Sequence, residues 1–323
     1  MAAMEQSGTL IVSIDMELAW GICDKVLESD ARAALQRERT IIQRLLALFA
    51  DYEVRASWAI VGHLLADQCE WKNGQVHPEI DRPIAQQADR DWFFQHPRTP
   101  DDPLWYGRDI VDWITAASPT QEIGSHSFCH LPYSETHTRR AAVKADISTA
   151  KALHARRGLP FEVFIFPRNV IGYRDLLAQA GVRVYRGNTP RWYDAIPFRP
   201  LRRLLNLSAF VLAAPPPTVR PSVDEVGMVN VPDSMLLLGR NGLRSLIPSQ
   251  RLVSMGRAGV DRAVERREIF HLWFHPSNFA HKMDEQFQVL EEILRYAHEL
   301  RKKNQLKNLT LGDVLKTVSP AVL

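Results

Sequence analysis

Two histidines lie four residues apart in the stretch EIGSHSFCH, which runs from Glu122 to His130. Neutral imidazoles are common zinc ligands, so His126 and His130 could hold one metal ion between them. Histidines at a strand end also pack or form hydrogen bonds without a metal, and the pair alone leaves both interpretations open. The decision depends on whether other parts of the chain bring further metal-binding or proton-transferring groups to the same place.

Carboxylates follow the apolar residues of a second stretch, IVSIDMELAWG. The period of two in a strand places Asp15 and Glu17 on the same face and points Met16 the other way. A carboxylate and neutral imidazoles form the ligand set of catalytic zinc sites, which keep one position open for water. A cap or a salt bridge is the alternative for Asp15.

Two more predicted strands end in polar groups. FEVFIFPRN ends in Arg168 and Asn169, and EIFHLWFHPSN ends in His275, Ser277 and Asn278. The C-terminal ends of the strands in a parallel barrel form one rim, and active sites are built at that rim. We therefore expect these groups to meet in one site, although His275, which precedes a proline, could also be a polar group in a turn.

Apolar runs alternate with amphipathic segments along the chain. TLIVSI at 9–14 predicts a strand, and apolar residues at helical spacing follow over 30–51. The same order recurs at 54–67, 162–181 and 269–303, which predicts an α/β fold of parallel strands with helical crossovers. Ser134 is placed to cap a helix that runs through Leu153, and Gly158 is placed to end it.

The size and composition fit a globular protein. The chain has 323 residues, of which 46% are hydrophobic and 24% are charged, and we expect one barrel domain over 1–323. A net charge of +3 is too small to indicate nucleic-acid binding. The N-terminus lacks the pattern of a signal peptide, and the three cysteines have no CxxC spacing, so we expect a cytoplasmic protein.

Two segments interrupt the alternation of strands and helices. The first, at 68–106, is rich in aromatic residues, which could stack on sugar rings or could bury the loop against the barrel. The second, at 197–217, has an arginine cluster followed by an apolar stretch. It could lie on a membrane surface, but a buried helix or a lid over the active site is the favoured interpretation.

The motifs resemble those of the polysaccharide deacetylases of the NodB homology type, carbohydrate esterase family 4. SIDMELAWG resembles the first motif of the family, EIGSHSFCH matches the second closely, FIFPRN resembles the third, and HLWFHPSN resembles the last. The resemblance extends from about residue 9 to the C-terminal helix. It implies a distorted (β/α) barrel that hydrolyses acetyl groups on sugars. It also implies that the reaction uses a divalent metal ion, with zinc as the favoured ion.

The resemblance also implies roles for individual residues. His126 and His130 would be metal ligands, and Asp15 would be the general base. Arg168 would hold and tune that base, and His275 would be the general acid. The same motifs carry three residues that we expect to contact the substrate: Trp20, Asn169 and Asn278.

The first motif departs from the family at one position. The family has two adjacent aspartates there, the second of which is a metal ligand, and in this sequence Met16 takes the second position. A thioether cannot replace a carboxylate toward a hard or borderline ion. Either Glu17 binds the metal and Asp15 is the base, or the two carboxylates exchange these roles.

We therefore expect a metal-dependent hydrolase that removes an acetyl group from a sugar, with an N-acetyl group as the favoured target. A cytoplasmic location favours an intermediate of bacterial surface polysaccharide biosynthesis, either nucleotide-linked or lipid-linked. The segment at 197–217 would suit the lipid-linked case, with a peripheral contact to the inner membrane. Two alternatives stay open: a hydrolase of a non-sugar amide on the same fold, and an inactive carbohydrate-binding relative, for which Met16 is the main evidence.

Overall fold

The apolar run near the N-terminus forms the central strand of the protein, β1 (Gly8–Met16), and every residue of it is buried. In this computed structural model β1 pairs in parallel with β11 (Ile269–Phe274) along one side. β2 (Ser57–Ile60) and β12 (Leu306–Leu309) share its other side. Burial on both faces is typical of parallel strands that helices cover. The predicted strand at 9–14 is confirmed and extends at both ends.

The structure describes residues 7–23, 27–69, 71–72, 75–77, 102–190, 196, 198 and 214–318. Most of the aromatic-rich segment at 68–106 and most of the segment at 197–217 lie outside these residues. Within the described residues, no helix is both long enough and apolar enough to cross a membrane.

The other strands of the described residues are β3 (Trp71–Lys72), β4 (Gln75–Val76), β5 (Glu122–Ser125), β6 (Val163–Ile165), β7 (Val184–Gly187), β8 (Ser222–Val223), β9 (Val229–Pro232) and β10 (Met235–Leu236). The α-helices are α1 (Ser29–Gln36), α2 (Glu38–Asp51), α3 (Arg108–Ala116), α4 (Arg140–Arg156), α5 (Arg174–Ala180), α6 (Ser249–Arg266), α7 (Met283–Lys302) and α8 (Leu311–Val314). The large sheet has the order β10-β11-β1-β2-β5-β6-β7-β9-β8, with β12 beside β1, while β3 and β4 form a separate hairpin.

The large sheet curls until its two ends meet. β9 pairs with β7 and β10 pairs with β11, although only Asp233 and Ser234 separate β9 from β10. The backbone N–H of Ser234 donates to the carbonyl of His271 on β11 at 2.9 Å. Apart from β8, all strands of this sheet pair in parallel. The predicted α/β fold, a distorted barrel of the polysaccharide deacetylase type, is confirmed.

Alternate residues of β1 face opposite sides of the barrel wall. Leu10, Val12, Ile14 and Met16 belong to the large core between the sheet and the helices. Ile11 belongs to a second apolar cluster, in which residues of the neighbouring strands pack with Leu311 and Val314 of α8. The inner face of β1 continues beyond Ile11 with Ser13 and Asp15, so the barrel interior is apolar at one end and polar at the other.

Two details of the helix prediction differ from the structure. The helix predicted over 30–51 is two helices, because the backbone leaves helical hydrogen bonding at Arg37 between α1 and α2. The prediction that Ser134 caps the next helix is wrong. α4 begins at Arg140 and Arg139 is its N-cap, whereas the carbonyl of Ser134 accepts from the N–H of Thr138 in the preceding turn.

The predicted end of the same helix is confirmed. Gly158 follows the last residues of α4 with a φ of +64°, a conformation that costs glycine nothing and that other residues rarely adopt.

The segment after β2 is a single short 3-10 helix, Gly62–Leu65, so the next α-helix of the described residues is α3.

Candidate active site

A buried ion pair lies at the polar end of the barrel interior. Asp15 on β1 is 3% exposed and Arg186 on β7 is 2% exposed. Nη1 and Nη2 of Arg186 each donate to one carboxylate oxygen of Asp15 at 2.7 Å. This two-point geometry is the strongest form of charge-assisted hydrogen bond. Burial disfavours the charged carboxylate, but the Arg186 guanidinium together with His126 and His275 outweighs burial and lowers the pKa of Asp15.

Arg186 is itself fixed from several sides. Its guanidinium lies over the Trp273 ring, 4.2 Å from the ring centroid. It also donates to Ser13 Oγ and to Asn169 Oδ1, both at 3.1 Å. The guanidinium is therefore oriented before any ligand binds, and it presents one fixed face to Asp15.

The third motif predicts that Arg168 holds Asp15, and the structure corrects this assignment. Arg168 is exposed, with a φ of +56°, in the short 3-10 helix Pro167–Asn169 that follows β6. Its charge lies near enough to His130 to disfavour a protonated ring there. The side chain that contacts Asp15 comes from the next strand of the sheet, β7, which lies deeper in the barrel.

Glu17 lies between the two histidines of EIGSHSFCH. Its Oε1 atom is 3.0 Å from Nε2 of His126 and 3.0 Å from Nε2 of His130. Both histidines are buried, while the Glu17 side chain is 15% exposed. Burial raises the pKa of Glu17, but His130 and His275 outweigh burial and hold it well below its usual value. Asp15 and Glu17 thus form hydrogen bonds to different residues, Arg186 for Asp15 and the histidine pair for Glu17, although they share one face.

The hydrogen bonds of His126 show that this group of residues fits a cation. Nδ1 of His126 lies 2.8 Å from the carbonyl oxygen of Ile165, and it must be the donor because a carbonyl only accepts. In the neutral ring Nε2 then carries a lone pair, which faces a carboxylate oxygen of Glu17. Added positive charge stabilises such a contact, and an Nδ1–H bound to a carbonyl is the usual orienting contact of metal-binding histidines.

A buried carboxylate on α4 holds the loop that carries both histidines. Asp146 accepts from the backbone N–H groups of Phe128 and Cys129 at 2.8 and 3.2 Å, and from the Tyr133 hydroxyl at 2.9 Å. The Oγ atom of Ser127 accepts from the N–H of Leu131 at 2.9 Å. These bonds hold the backbone of the loop that carries both histidines.

His275 lies across the site from the histidine pair. Its Nε2 atom is 3.5 Å from Glu17 Oε1 and 3.8 Å from Asp15 Oδ2. Burial lowers the pKa of His275, but the two carboxylates outweigh burial and raise it to about 9. The ring is therefore charged near neutral pH in this arrangement. The Asn278 side chain accepts from the N–H of His275 at 2.9 Å, which fixes the backbone that carries the ring.

The three predicted substrate contacts have different positions. Trp20 is wrong as a contact, because it is 0% exposed and its Nε1–H donates to the carbonyl of Trp105 at 3.0 Å. Asn169 is partly buried beside the Asp15–Arg186 pair. Asn278 lines the cavity at the site, which has a volume of about 300 Å³ and also contacts Asp15, Glu17 and His275.

The fold has known counterparts, although no family model and no curated protein matches the sequence. A protein described as a polysaccharide deacetylase from Mycobacterium smegmatis superposes with a TM-score of 0.61 at 11% identity, over 97% of this chain and 90% of that chain. One from Pseudomonas aeruginosa PAO1 has a TM-score of 0.59 at 12% identity, over 95% of this chain and 89% of that chain. The fold is that of the polysaccharide deacetylases.

The polysaccharide deacetylase fold also occurs in a protein of another name. The structure of PuuE allantoinase superposes with a TM-score of 0.59 at 11% identity, over 98% of this chain and 91% of that chain. Similarity at such low identity establishes the polysaccharide deacetylase fold and leaves the substrate to the residues of the site.

Sequence reasoning missed three buried charged residues of this polysaccharide deacetylase fold, and each carried a signal. Arg186 is a cation at the end of the apolar strand VRVYRG. Asp146 and Glu38 are acidic residues on the apolar faces of α4 and α2. Glu38 lines the cavity, and burial, reinforced by the Glu17 charge, raises its pKa to about 8. A charge on an apolar face is costly unless it has a partner or a function.

Proposed function

We propose that the protein is a divergent polysaccharide deacetylase, a metal-dependent hydrolase that removes an acetyl group from a sugar. An N-acetyl group is the favoured target. The observation that carries the proposal is the separation of two carboxylates at one cavity. Glu17 contacts the His126–His130 pair, whereas Asp15 is bound at two points by the Arg186 cation, and His275 lies 3.5 Å from Glu17 and 3.8 Å from Asp15. The proposed metal ligands therefore lie beside the residues proposed to transfer protons, Asp15 and His275.

The residues that would hold the metal are Glu17, His126 and His130. A carboxylate oxygen and two imidazole nitrogens are the donor types of catalytic zinc sites with an open position. When bound, a divalent ion at this place acidifies water and polarises a carbonyl oxygen. Glu17 thus takes the ligand role that the adjacent aspartate has in the family, which accounts for Met16 at that position.

Asp15 is the proposed general base. Its lowered pKa keeps it ionised near neutral pH, so it can accept the proton of the attacking water. Arg186 takes the role that the family motif gives to Arg168, because it binds both carboxylate oxygens. A base held by two hydrogen bonds stays in one position, and general bases contribute about 10²- to 10⁴-fold to the rate.

His275 is the proposed general acid. An amine leaving group needs a proton when the amide bond breaks, and the His275 ring carries one below its pKa of about 9. The ring is 27% exposed, so it faces the cavity as well as the two carboxylates. Asn278 positions the ring through the backbone and is proposed as a positioning residue.

We propose a nucleotide-linked or lipid-linked sugar intermediate of surface polysaccharide biosynthesis, in the cytoplasm, as the biological substrate. The cavity of about 300 Å³ has the size of a small-ligand site and would take one sugar unit. For the lipid-linked case, a peripheral membrane contact through the segment at 197–217 is testable by sedimentation of the purified chain with anionic vesicles. Failure to co-sediment would remove that contact from the proposal.

A non-sugar amide is the second candidate substrate, because one protein of the same fold is named an allantoinase and the fold does not determine the substrate. The same Asp15, His275 and metal ligands would serve either amide. An inactive binding protein is less well supported, because the residues proposed as ligands, base and acid lie together at one cavity despite Met16. The two enzyme candidates differ only in what fills the cavity.

The deciding experiment measures hydrolysis by the zinc-loaded full chain. Acetate release is assayed on UDP-N-acetylglucosamine and N-acetylated chito-oligosaccharides, and ring opening is assayed on allantoin. We expect acetate release that Asp15→Asn reduces by about 10²- to 10⁴-fold while zinc content is retained. Ring opening alone would replace the sugar with a non-sugar amide, and no turnover of any substrate by the zinc-loaded protein would contradict the enzyme proposal.

A further inference from the structure

A second group of metal-binding side chains lies outside the active site. His63, Cys69 and His77 are buried, and one ligand atom from each lies within 4.8 Å of the other two. Nε2 of His63 is 3.0 Å from Sγ of Cys69, and the rings of His63 and His77 have their centroids 5.3 Å apart. None of these residues belongs to the proposed catalytic set.

The three residues come from different local structures. His63 is in the short 3-10 helix that follows β2, Cys69 precedes the hairpin of β3 and β4, and His77 directly follows β4. Burying two histidines and a thiol costs free energy unless their polar atoms are hydrogen-bonded or bind a metal. Cysteine sulfur and histidine nitrogen are the usual ligands of structural zinc sites.

We propose that His63, Cys69 and His77 form a second, structural metal site that takes zinc. Two imidazoles and one thiolate are a borderline-soft donor set, which suits zinc better than magnesium or calcium. Ligand atoms on one tetrahedral zinc lie about 3.5 Å apart, so the observed cluster needs only small side-chain shifts. On binding, the Cys69 S–H bond breaks, a zinc–sulfur bond forms, and the proton goes to solvent.

Burial raises the pKa of the Cys69 thiol to about 11, so the thiolate would form there only with a bound cation, and one neighbouring group would support it. The Tyr106 hydroxyl lies 2.8 Å from Sγ and would donate to the thiolate, as groups around metal ligands commonly do. A cavity of about 270 Å³ opens beside His77, and water from it could complete four-fold coordination. Cys69 is only 6% exposed, which suits a structural ligand better than a nucleophile that must reach a substrate.

The second site would brace the loop that carries the proposed catalytic ligands. The N–H of Gly62 donates to the carbonyl of Ser127 at 2.7 Å, and the N–H of His63 donates to that of Phe128 at 2.9 Å. The Phe128 ring contacts both His63 and His77, with centroids 5.7 and 5.0 Å apart. An ion at His63 would therefore link the β3–β4 hairpin to the loop between His126 and His130.

The test loads the metal-free full chain with Co²⁺ alone and records its absorption spectrum. The background is the double variant His126→Ala/His130→Ala, which removes the proposed catalytic ligands and leaves the second site. We expect one cobalt per chain and the thiolate-to-cobalt charge-transfer band in the near ultraviolet. The same background with Cys69→Ser should lose the band, whereas Cys23→Ser, a control at another buried cysteine, should keep it.

Two further measurements distinguish loss of metal binding from misfolding of the variants. His77→Gln retains every cysteine and should weaken cobalt binding in the same background by more than about tenfold, with the far-ultraviolet circular dichroism unchanged. Zinc added to the metal-free background protein should raise its melting temperature, and Cys69→Ser should abolish that rise. Cobalt bound without a thiolate band, or a band that survives Cys69→Ser, would overturn the proposal while leaving the proposed catalytic site untouched.

Discussion

Asp15 and Glu17 differ in function because their surroundings differ, although only Met16 separates them. Asp15 is the last inward residue of β1 and contacts a cation, so its charge is already balanced. Glu17 lies just beyond the strand and contacts the two imidazoles of His126 and His130, with which it forms a possible metal-binding group. One carboxylate is thus suited to accept a proton and the other to bind an ion.

Substitution of each carboxylate by its amide separates the two roles. We expect Glu17→Gln to lower zinc affinity by more than about 100-fold, because loss of a ligand costs more than loss of a supporting group. Asp15→Asn should keep one zinc per chain and reduce kcat by about 10²- to 10⁴-fold. Elemental analysis and acetate release measure the two effects. If Asp15→Asn loses zinc and Glu17→Gln keeps it, the roles are exchanged.

Substitution of Arg186 and substitution of Arg168 should lower the free energy of unfolding by different amounts. Arg186→Met leaves the buried Asp15 carboxylate without its cation, and we expect a loss of about 3–5 kcal/mol in the free energy of unfolding. Arg168→Met removes an exposed cation and should cost less than about 1 kcal/mol. Urea unfolding at pH 7 compares them. Equal losses in the two variants would argue against Arg186 as the partner of Asp15.

At the scale of elements, helix α4 supports the site from behind. Its Asp146 satisfies the backbone of the histidine loop, and its last turn contains the buried His154. Nδ1 of His154 donates to the carbonyl of Pro160 at 2.8 Å, and this bond ties the end of α4 to the segment that leads into β6. The helix therefore connects the ends of two neighbouring strands, β5 and β6.

His154 gives α4 a defined dependence on pH. Burial, only partly offset by the bond to Pro160, lowers the pKa of His154 from 6.5 to about 4. Between these values the unfolded chain binds a proton that the folded chain does not. Stability should therefore be fully present above pH 6.5 and fall by about 3 kcal/mol on acidification to pH 4.

His154→Asn tests this origin of the acid sensitivity, because asparagine keeps a donor for Pro160 and does not titrate. We expect the variant to be less stable than the parent at pH 7, yet to lose less stability between pH 6.5 and pH 4. Some decline should remain, because burial also lowers the pKa of His271, to about 3. If the free energy of unfolding falls equally with pH in the variant and the parent, His154 is not the cause of the acid sensitivity.

At the scale of the whole molecule, the barrel interior separates stability from function. Its apolar end is filled by aliphatic residues and closed by α8, whereas its polar end holds the Asp15–Arg186 pair and the metal-binding group. β12 pairs with the first residues of β1, so both ends of the described chain meet in one sheet. The apolar end therefore contributes mainly to stability, and the polar end carries the proposed chemistry.

Leu311→Ala tests this separation. Leu311 on α8 is fully buried, and removal of its side chain leaves a cavity, which costs about 2–5 kcal/mol. We expect that loss in urea unfolding together with unchanged zinc content and unchanged activity at 25 °C. A loss of zinc in the folded variant would show that the two ends of the barrel are coupled.

Local periodicity made much of the barrel and of the site predictable from the sequence. The alternation of side chains along a strand predicted that Asp15 and Glu17 share one face and that Met16 points the other way. Polar residues after apolar runs indicated which loops carry His126, His130 and His275. These features depend only on neighbouring residues, because a strand alternates its side chains wherever it is placed.

Other features depended on which strands become neighbours in space. The choice of Arg186 over Arg168 is a choice between β7 and β6, and only the curl of the sheet decides which guanidinium reaches Asp15. The same curl brings Glu17 to the histidines and so separates the roles of the two carboxylates. The His63, Cys69 and His77 cluster has no compact motif in the sequence, because its three ligands converge through a hairpin and a short helix.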